Sequence, residues 1–250
     1  MRLTLAYHGT GFHGFAPNPG VRTVAGVLET ALGKLLNRGL PVAITAAGRT
    51  DAGVHAWGQV VSFDAPAERV DPARLQRALN KMLAPEIVVR DAQIAPPDFD
   101  ARFSARWRMY RYSVINRPIP DPFLADTAWW VAQPLDLHAL WLACDPFIGE
   151  HDFTSFCRKP DVTLSGVGPS MVRRVYDARW EDEGDGLLRF WIKANSFCHQ
   201  MVRSVVGTMV EAGLGKKHAG DITGILQARD RAAAGVVAPP QGLCLWEVGY

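Results

Sequence analysis

The segment that organises this chain reads Ala47-Gly48-Arg49-Thr50-Asp51-Ala52-Gly53-Val54-His55-Ala56. A β-branched run at 42–45 precedes it and a strand-like run at 59–63 follows it, which predicts strands at about 41–46 and 54–63. The connection between them places a guanidinium, a hydroxyl, a carboxylate and an imidazole within seven positions. Loops on a rigid scaffold often contain catalytic groups, but Asp and Gly are also ordinary turn residues. Taken alone, the segment is therefore equally consistent with a plain turn.

The elements around this connection predict an α+β first half. Residues 2–7 alternate as a strand, and Thr23 is the expected N-cap of a helix that ends before Gly39. Asp71 and Pro72 are expected to begin a second helix, and Ile87 a further strand. The resulting order, β-α-β-β-α-β, is that of the split ferredoxin-like arrangement.

The second half is expected to repeat this order. Its predicted elements are strands at 107–116, 129–131, 171–181, 187–194 and 243–249, and helices beginning at 136, 198 and 221, with a Gly-rich loop at about 149–169. We therefore predict two ferredoxin-like (βαββαβ) halves, residues 1–105 and 106–250. They are expected to form an extended, mainly antiparallel central sheet with helices on one face and an active-site cleft on the other.

Composition limits the class of protein. The chain has 250 residues, of which 48% are hydrophobic, and a net charge of +2, so a large core and one or two domains are expected. No apolar run is long enough to cross a bilayer, and Met1 leads directly into a strand, which favours a cytoplasmic protein. The four cysteines are scattered with no close pair, so neither a zinc site nor a disulfide framework is indicated. The seven histidines show no metal-ligand spacing, and we expect no structural metal.

A glycine motif near the N-terminus imitates a nucleotide-binding loop. Residues 9–14, Gly-Thr-Gly-Phe-His-Gly, fit G-x-G-x-x-G and follow a strand. That fingerprint requires its last glycine to open a helix that binds the pyrophosphate. Pro17 and Pro19 intervene before any helical pattern begins, so we reject the nucleotide interpretation.

Basic residues alternate with aromatic ones where the halves meet. The group consists of Arg102, Arg106, Arg108, Arg111 and Arg117, interleaved with Phe103, Trp107, Tyr110 and Tyr112; a second basic group contains Arg158, Lys159, Arg173 and Arg174. Guanidinium groups that bind phosphate and rings that stack on unpaired bases are typical of RNA recognition. The alternative is a solvated strand face.

Arg203 is the one charge in an otherwise apolar stretch of helix, residues 201–210. Burying an unpaired cation costs several kcal/mol, so an anion is expected within reach. A phosphate and the carboxylate of Asp51 are the two candidates. Alternatively, the side chain extends along the apolar surface to solvent.

Several motifs in order along the chain closely resemble the tRNA pseudouridine synthase A family. They are Tyr7-x-Gly-Thr-x-Phe-His-Gly, Arg22-Thr23-Val24, residues 47–56, Asp100-Ala-Arg-Phe-Ser-Ala105, Tyr110-Arg111-Tyr112, Gly149-Glu-His-Asp-Phe153, Met201-Val202-Arg203 and Ala234-Gly235. The likeness extends from about residue 2 to residue 250. One loop departs from the family pattern, since Phe15 replaces a usual tryptophan and Ala16-Pro17-Asn18 replaces the usual glutamines.

The resemblance implies a cofactor-free homodimeric enzyme that isomerises uridine to pseudouridine at positions 38, 39 and 40 in the anticodon stem-loop of tRNA. It implies that Asp51 is the catalytic aspartate, that Arg203 is its basic partner and that Arg49 is the arginine beside it. It places the base-stacking tyrosine at Tyr110. The other residues expected to contact substrate are Tyr112, Arg102, Arg111, His55 and Arg22.

The reaction breaks the N1–C1′ bond, turns the uracil and joins C5 to C1′, so nothing is gained or lost. An aspartate in solution, with a pKa of about 3.9, is ionised at neutral pH but is a weak general base. Nucleophilic attack is therefore the better role for Asp51, with C1′ of the ribose and C6 of the base both candidates. The runner-up is a non-catalytic RNA-binding protein that uses the same basic aromatic cleft. A third interpretation, a carboxylate-pair glycosidase or nucleoside hydrolase, needs a second carboxylate that the motif lacks.

Overall fold

The computed structural model describes residues 1–66, 70–158 and 170–250 and divides into two compact units. The first unit contains Met1–Arg106 together with Cys244–Tyr250, and the second contains Trp107–Leu243. From the sequence we predicted a boundary at residue 105, with the last strand in the second half. In the structure that strand belongs with the first unit, because it pairs in parallel with a strand there, Cys244 opposite His55.

The elements confirm the α+β class. The strands are β1 (Arg2–Tyr7), β2 (Thr45–Ala46), β3 (His55–Ser62), β4 (Ile87–Gln93), β5 (Trp107–Asn116), β6 (Trp129–Val131), β7 (Gly149–Asp152), β8 (Val172–Asp182), β9 (Leu187–Ala194) and β10 (Leu243–Gly249). The helices are α1 (Val24–Leu35), α2 (Pro72–Leu83), α3 (Leu137–Leu142), α4 (Met201–Gly213) and α5 (Asp221–Ala228).

In the first unit the strand order is β4-β1-β3-β10. β1 is antiparallel to both β3 and β4, and the two-residue β2 is antiparallel to β3. Alternate residues of β1, Leu3 and Leu5, are completely buried, as are Leu28 and Leu32 of α1 and Leu79 of α2. This period-2 burial is typical of a sheet with one face covered by helices.

The predicted strand at 41–46 is shorter in the structure, because its first residues bond to a helix. The amide of Val42 donates to the carbonyl oxygen of Glu29 (3.1 Å), and the amide of Ile44 donates to the Glu29 carboxylate (3.3 Å). Only Thr45 and Ala46 remain to pair with β3. The predicted caps are confirmed, since the side chains of Thr23, Asp71 and Asp136 accept amides of the first turns of α1, α2 and α3.

The second unit has the strand order β5-β9-β8-β7 with antiparallel neighbours, and β6 runs parallel to β5. β7 lies in the stretch that the sequence assigned to a loop, and Gly149 pairs with Val175 of β8. Its four residues, Gly-Glu-His-Asp, lack the apolar alternation that marks a strand. The rest of that loop, residues 159–169 with Lys159, lies outside the described residues.

One disulfide is present, although the cysteine spacing indicated no disulfide framework. Cys157 and Cys198 form a disulfide, with 5.8 Å between their Cα atoms. They are 41 residues apart, and the β8–β9 hairpin between them brings them together, so no sequence spacing indicates the pair. Within the described ranges no helix could span a membrane, and no three His, Cys, Asp or Glu side chains are placed to hold a metal ion.

Candidate active site

The loop that contains Asp51 is fixed by hydrogen bonds on both sides of the aspartate. The Gln59 side-chain amide donates to the carbonyl oxygen of Gly48 (2.7 Å). The backbone amide of Phe15 donates to the carbonyl oxygen of Thr50 (3.0 Å). The hydroxyls of Tyr7 and Thr50 share a hydrogen bond of 2.8 Å. Asp51 itself is half-buried, and its carbonyl oxygen accepts the amide of Val54 (3.1 Å). The backbone on either side of the carboxylate therefore has little freedom to move.

His55 ties this loop to the segment after β1. The amide of Gly9 donates to Nδ1 of His55 (3.0 Å), and the imidazole lies against His8, with 4.5 Å between ring centroids. An Nδ1 that accepts this bond carries no proton, so the neutral ring has its proton at Nε2. His55 is 7% exposed. Its observed contacts position the loop, while its predicted contact with substrate stays a prediction.

The glycines of the G-x-G-x-x-G motif permit close backbone approach to this loop. A Cβ on Gly9 would lie 2.1 Å from the carbonyl oxygen of Val54. Gly14 has a φ of +91°, and a Cβ there would lie 3.1 Å from the carbonyl oxygen of Thr50. The motif thus packs against the backbone of the Asp51 loop. This packing requires glycine because a Cβ would collide with the loop, a reason unrelated to phosphate binding.

The predicted arginines of the first unit have different surroundings. Arg49 is exposed, and so is Arg102, in a turn where the Asp100 carboxylate accepts the amides of Arg102 and Phe103. Arg22 instead makes a two-point ion pair with Glu86, at 2.8 and 2.7 Å, and its guanidinium lies 4.4 Å from the Phe12 ring centroid. The hydrogen bond between these side chains raises the pKa of Arg22 and lowers the pKa of Glu86.

Tyr110 and Tyr112 occupy alternate positions of β5 and therefore lie on the same face of the sheet. Tyr110 is 8% exposed, and its ring meets Phe197 edge to face, with 4.9 Å between centroids. Tyr112 is completely buried, and its hydroxyl donates to the carbonyl oxygen of Pro239 (2.7 Å). Burial raises the pKa of Tyr112 above its usual range, and the positive charge of Arg203 offsets part of that rise. The observed contacts of Tyr112 are internal ones.

Arg203 is fixed by the segment that precedes β10. Its Nε donates to the carbonyl oxygen of Ala238 (2.7 Å), while the amide of Ala238 donates to the carbonyl oxygen of Arg203 (3.1 Å). One turn further along α4, a Cβ on Gly207 would lie 1.8 Å from the carbonyl oxygen of Val236, so the segment crosses the helix there. These contacts set the direction of the guanidinium, and Arg203 is half-buried rather than fully extended into solvent.

Arg111 lies on the opposite face of the sheet from Tyr110 and Tyr112, because side chains alternate along β5. Its guanidinium lies 5.9 Å from the ring of Trp191, and that of Arg179 lies 5.6 Å from the same ring. The sequence grouped Arg111 with the two tyrosines as one basic aromatic surface. The structure separates them.

Sequence reasoning missed Gln59 as a residue of the site. It is completely buried within an apolar strand and bonds to Gly48. A polar side chain within the run Gln-Val-Val was the available signal, because buried polar groups require partners.

Comparison with known proteins identifies the chain's relatives. The family model described as tRNA pseudouridine synthase matches residues 4–104 and 143–250. The chain is 43% identical to tRNA pseudouridine synthase A of Geobacillus sp. (strain WCH70), covering 100% of this chain and 98% of that protein. It is 40% identical to the protein of that name from Leifsonia xyli subsp. xyli (100% and 91% covered) and 39% identical to that from Bacillus subtilis (100% and 98% covered). On this evidence the chain belongs to the tRNA pseudouridine synthase family.

Proposed function

We propose that this protein isomerises uridine to pseudouridine at positions 38, 39 and 40 of the anticodon stem-loop of tRNA, with Asp51 as the nucleophile. Membership of the family makes it an isomerase that acts on tRNA. The observation that best supports the role of Asp51 is the fixed loop around it, bonded at Gly48, Thr50 and His55. A nucleophile whose backbone is fixed loses little further freedom when it meets substrate.

The chemistry needs only groups that the chain itself supplies. The Asp51 carboxylate forms a bond to C1′ or C6, the N1–C1′ bond breaks, and the uracil turns. C5 then bonds to C1′, and the bond to Asp51 breaks, which restores the carboxylate. The proton on C5 is then lost and N1 gains one, so the product is an isomer of the substrate. We propose Arg203 as the ionic partner of this carboxylate, as the family resemblance implies. The bond from its Nε to the carbonyl oxygen of Ala238 fixes the direction of the guanidinium.

Tyr110 is the proposed stacking partner of the target uracil. The Phe197 ring fixes its orientation, so the base would meet an aromatic face that does not rotate. A base in a stem must first leave the helix, at a cost of a few kcal/mol. Contacts of Arg49 and Arg102 with phosphates would offset that cost and make binding depend on salt.

The internal contacts of three predicted substrate residues favour supporting roles. His55 positions the Asp51 loop, and Tyr112 positions the segment that fixes Arg203. Arg22 is paired with Glu86 in the protein without RNA. We further propose a cytoplasmic homodimer, as the family resemblance implies. The non-catalytic RNA-binding alternative is not favoured, because the chain belongs to a family of isomerases.

The test is to incubate the protein with tRNA transcripts that retain a single uridine at position 38, 39 or 40, with cytidine at the other two, and to map new pseudouridine. We expect product at each of the three positions and none in a transcript with cytidine at all three. Binding of every transcript without pseudouridine would support the RNA-binding alternative instead. Product only at other uridines would contradict the proposed positions while leaving the isomerase activity intact.

A further inference from the structure

We propose that Cys157 and Cys198 form a reversible redox site. Its oxidation state controls the order of the segment that leads into helix α4 and, through this segment, the placement of Tyr110 and Arg203. The influence on catalysis depends on the function proposed above, whereas the thiol chemistry does not. A low-molecular-weight dithiol would open the bond, and a low-molecular-weight disulfide would close it.

The two cysteines meet where two segments of the second unit are already joined. Cys157 follows a 3₁₀ turn, Thr154–Phe156, and Cys198 lies three residues before α4. Beside the sulfurs, the amide of Arg158 donates to the carbonyl oxygen of His199 (3.0 Å). The Cα separation of 5.8 Å lies within the range that disulfides need.

The surroundings of the pair favour exchange at one particular sulfur. Cys157 is 1% exposed, whereas Cys198 is partly exposed, so Cys198 is the more accessible of the two cysteines to an incoming thiolate. Each cysteine is followed by an exposed basic residue, Arg158 after Cys157 and His199 after Cys198.

Reduction then proceeds by two exchanges. A thiolate of the dithiol bonds to Cys198 Sγ, and Cys157 leaves as a thiolate that takes up a proton. The second thiolate of the reductant displaces Cys198, which is protonated in turn, and the reductant becomes a cyclic disulfide. Oxidation by a small disulfide reverses the sequence and releases two equivalents of small thiol.

The other two cysteines provide internal controls. Cys144 and Cys244 are both buried and lie outside the disulfide. Burial raises the pKa of the Cys144 thiol to about 12, which leaves it protonated and unreactive at neutral pH. Thiol chemistry on the folded protein should therefore report on Cys157 and Cys198.

The bond adjoins residues that the proposed mechanism uses. Phe197, which contacts the Tyr110 ring, immediately precedes Cys198. The amide of Met201 donates to the carbonyl oxygen of Cys198 (3.1 Å) at the start of α4, two residues before Arg203. Opening the disulfide removes the covalent restraint on this segment, so we expect Phe197 and the first turn of α4 to become more mobile.

The experiment compares the full chain before and after treatment with dithiothreitol. Intact-mass analysis after alkylation in denaturant should find two reactive thiols before reduction and four after it, and glutathione disulfide should restore the first value. Amide hydrogen exchange in a peptide covering 196–205 should accelerate on reduction. Single-turnover isomerisation should slow by about tenfold, since small misplacements of catalytic groups have effects of that order or larger.

Two variants complete the design. In Cys157→Ser, amide hydrogens at 196–205 should exchange at the rate of the reduced protein with or without dithiothreitol. In Cys144→Ser, dithiothreitol should change this rate as it does in the wild type. The proposal would be overturned if protein kept with glutathione disulfide had four reactive thiols. It would also be overturned if amide hydrogen exchange at 196–205 were unchanged by reduction. If the transcripts are never isomerised but the thiol counts and exchange rates change as expected, the proposed function fails and the redox site remains.

Discussion

At the scale of single residues, Tyr112 links the buried core of the second unit to Arg203. Its hydroxyl bonds to Pro239, and the carbonyl oxygen of the preceding residue, Ala238, accepts Nε of Arg203. We predict that Tyr112→Phe lowers the free energy of unfolding by about 1–2 kcal/mol, because the partly buried carbonyl oxygen of Pro239 loses its donor. We also predict a lower kcat with unchanged tRNA affinity.

Urea unfolding and single-turnover kinetics measure these two effects. Tyr176→Phe is the matched control, because Tyr176 is 48% exposed on β8 and should tolerate the change. Weaker tRNA binding by Tyr112→Phe at unchanged kcat would contradict a positioning role and indicate direct contact of this hydroxyl with RNA.

The ion pair between Arg22 and Glu86 leads to a second prediction at this scale. The pKa of Glu86 is lowered, so the pair is present above the ordinary pKa of a glutamate and is lost as pH falls through the lowered value. At pH 7 Glu86→Gln should release Arg22 for a phosphate. The slope of log affinity for tRNA against log salt should then steepen by about one.

Salt titrations of binding with Glu86→Gln, Arg22→Ala and the double variant test this release. Arg22→Ala should remove the added salt dependence in the Glu86→Gln background and change little in the wild-type background. A steeper slope that persists in the double variant would show that Arg22 is not the group released.

At the scale of elements, helix α4 depends on a glycine for its contact with the segment before β10. A Cβ on Gly207 would lie 1.8 Å from the carbonyl oxygen of Val236, while one on Gly224, in α5, would meet nothing within 4 Å. We predict that Gly207→Ala lowers the free energy of unfolding by about 1–3 kcal/mol or more through overpacking. Gly224→Ala should raise it by about 0.5–1 kcal/mol.

Thermal and urea unfolding of both variants measure the difference. Because the displaced segment includes Ala238, Gly207→Ala should also lower the isomerisation rate, whereas Gly224→Ala should not. Equal stability of the two variants would mean that the segment moves aside without cost and does not fix Arg203.

Elements whose signals are local could be predicted from sequence. Thr23, Asp71 and Asp136 cap the helices expected of them, because capping needs only a side chain and the next few amides. The strand at 41–44 could not be predicted correctly, since its amides bond to Glu29, more than ten residues earlier. Partners so distant in sequence leave no periodic pattern.

At the scale of the whole molecule, residues with local sequence signals could be predicted, whereas the residues that hold them in place could not. Asp51 and Arg203 could be singled out because a charge among glycines or apolar residues is visible in the sequence. The partners that fix their surroundings include Gly9, 46 residues from His55, and Ala238, 35 residues from Arg203. Placement of residues 244–250 in the first unit likewise depends on long-range strand pairing.

Two structural results changed the set of residues expected at the substrate. Alternation along β5 places Arg111 away from the two tyrosines, and Tyr112 is completely buried. The position of Arg111 follows from the strand itself. The burial of Tyr112 depends on contacts with Pro239 and Gly242, which the residue types of 110–112 do not specify. The pairing of Cys157 with Cys198 depends in the same way on tertiary contacts.

The most direct test of the central claim is single-turnover isomerisation of a tRNA transcript by Asp51→Asn, with tRNA binding measured on the same preparation. The substitution keeps size and polarity but removes the nucleophilic charge, so we predict that the rate falls by at least about a thousandfold while binding is retained. Asp64→Asn, at an exposed position of the same unit, should match the wild type in both measurements. Isomerisation by Asp51→Asn at a rate near that of the wild type would contradict the assignment of Asp51 as the nucleophile.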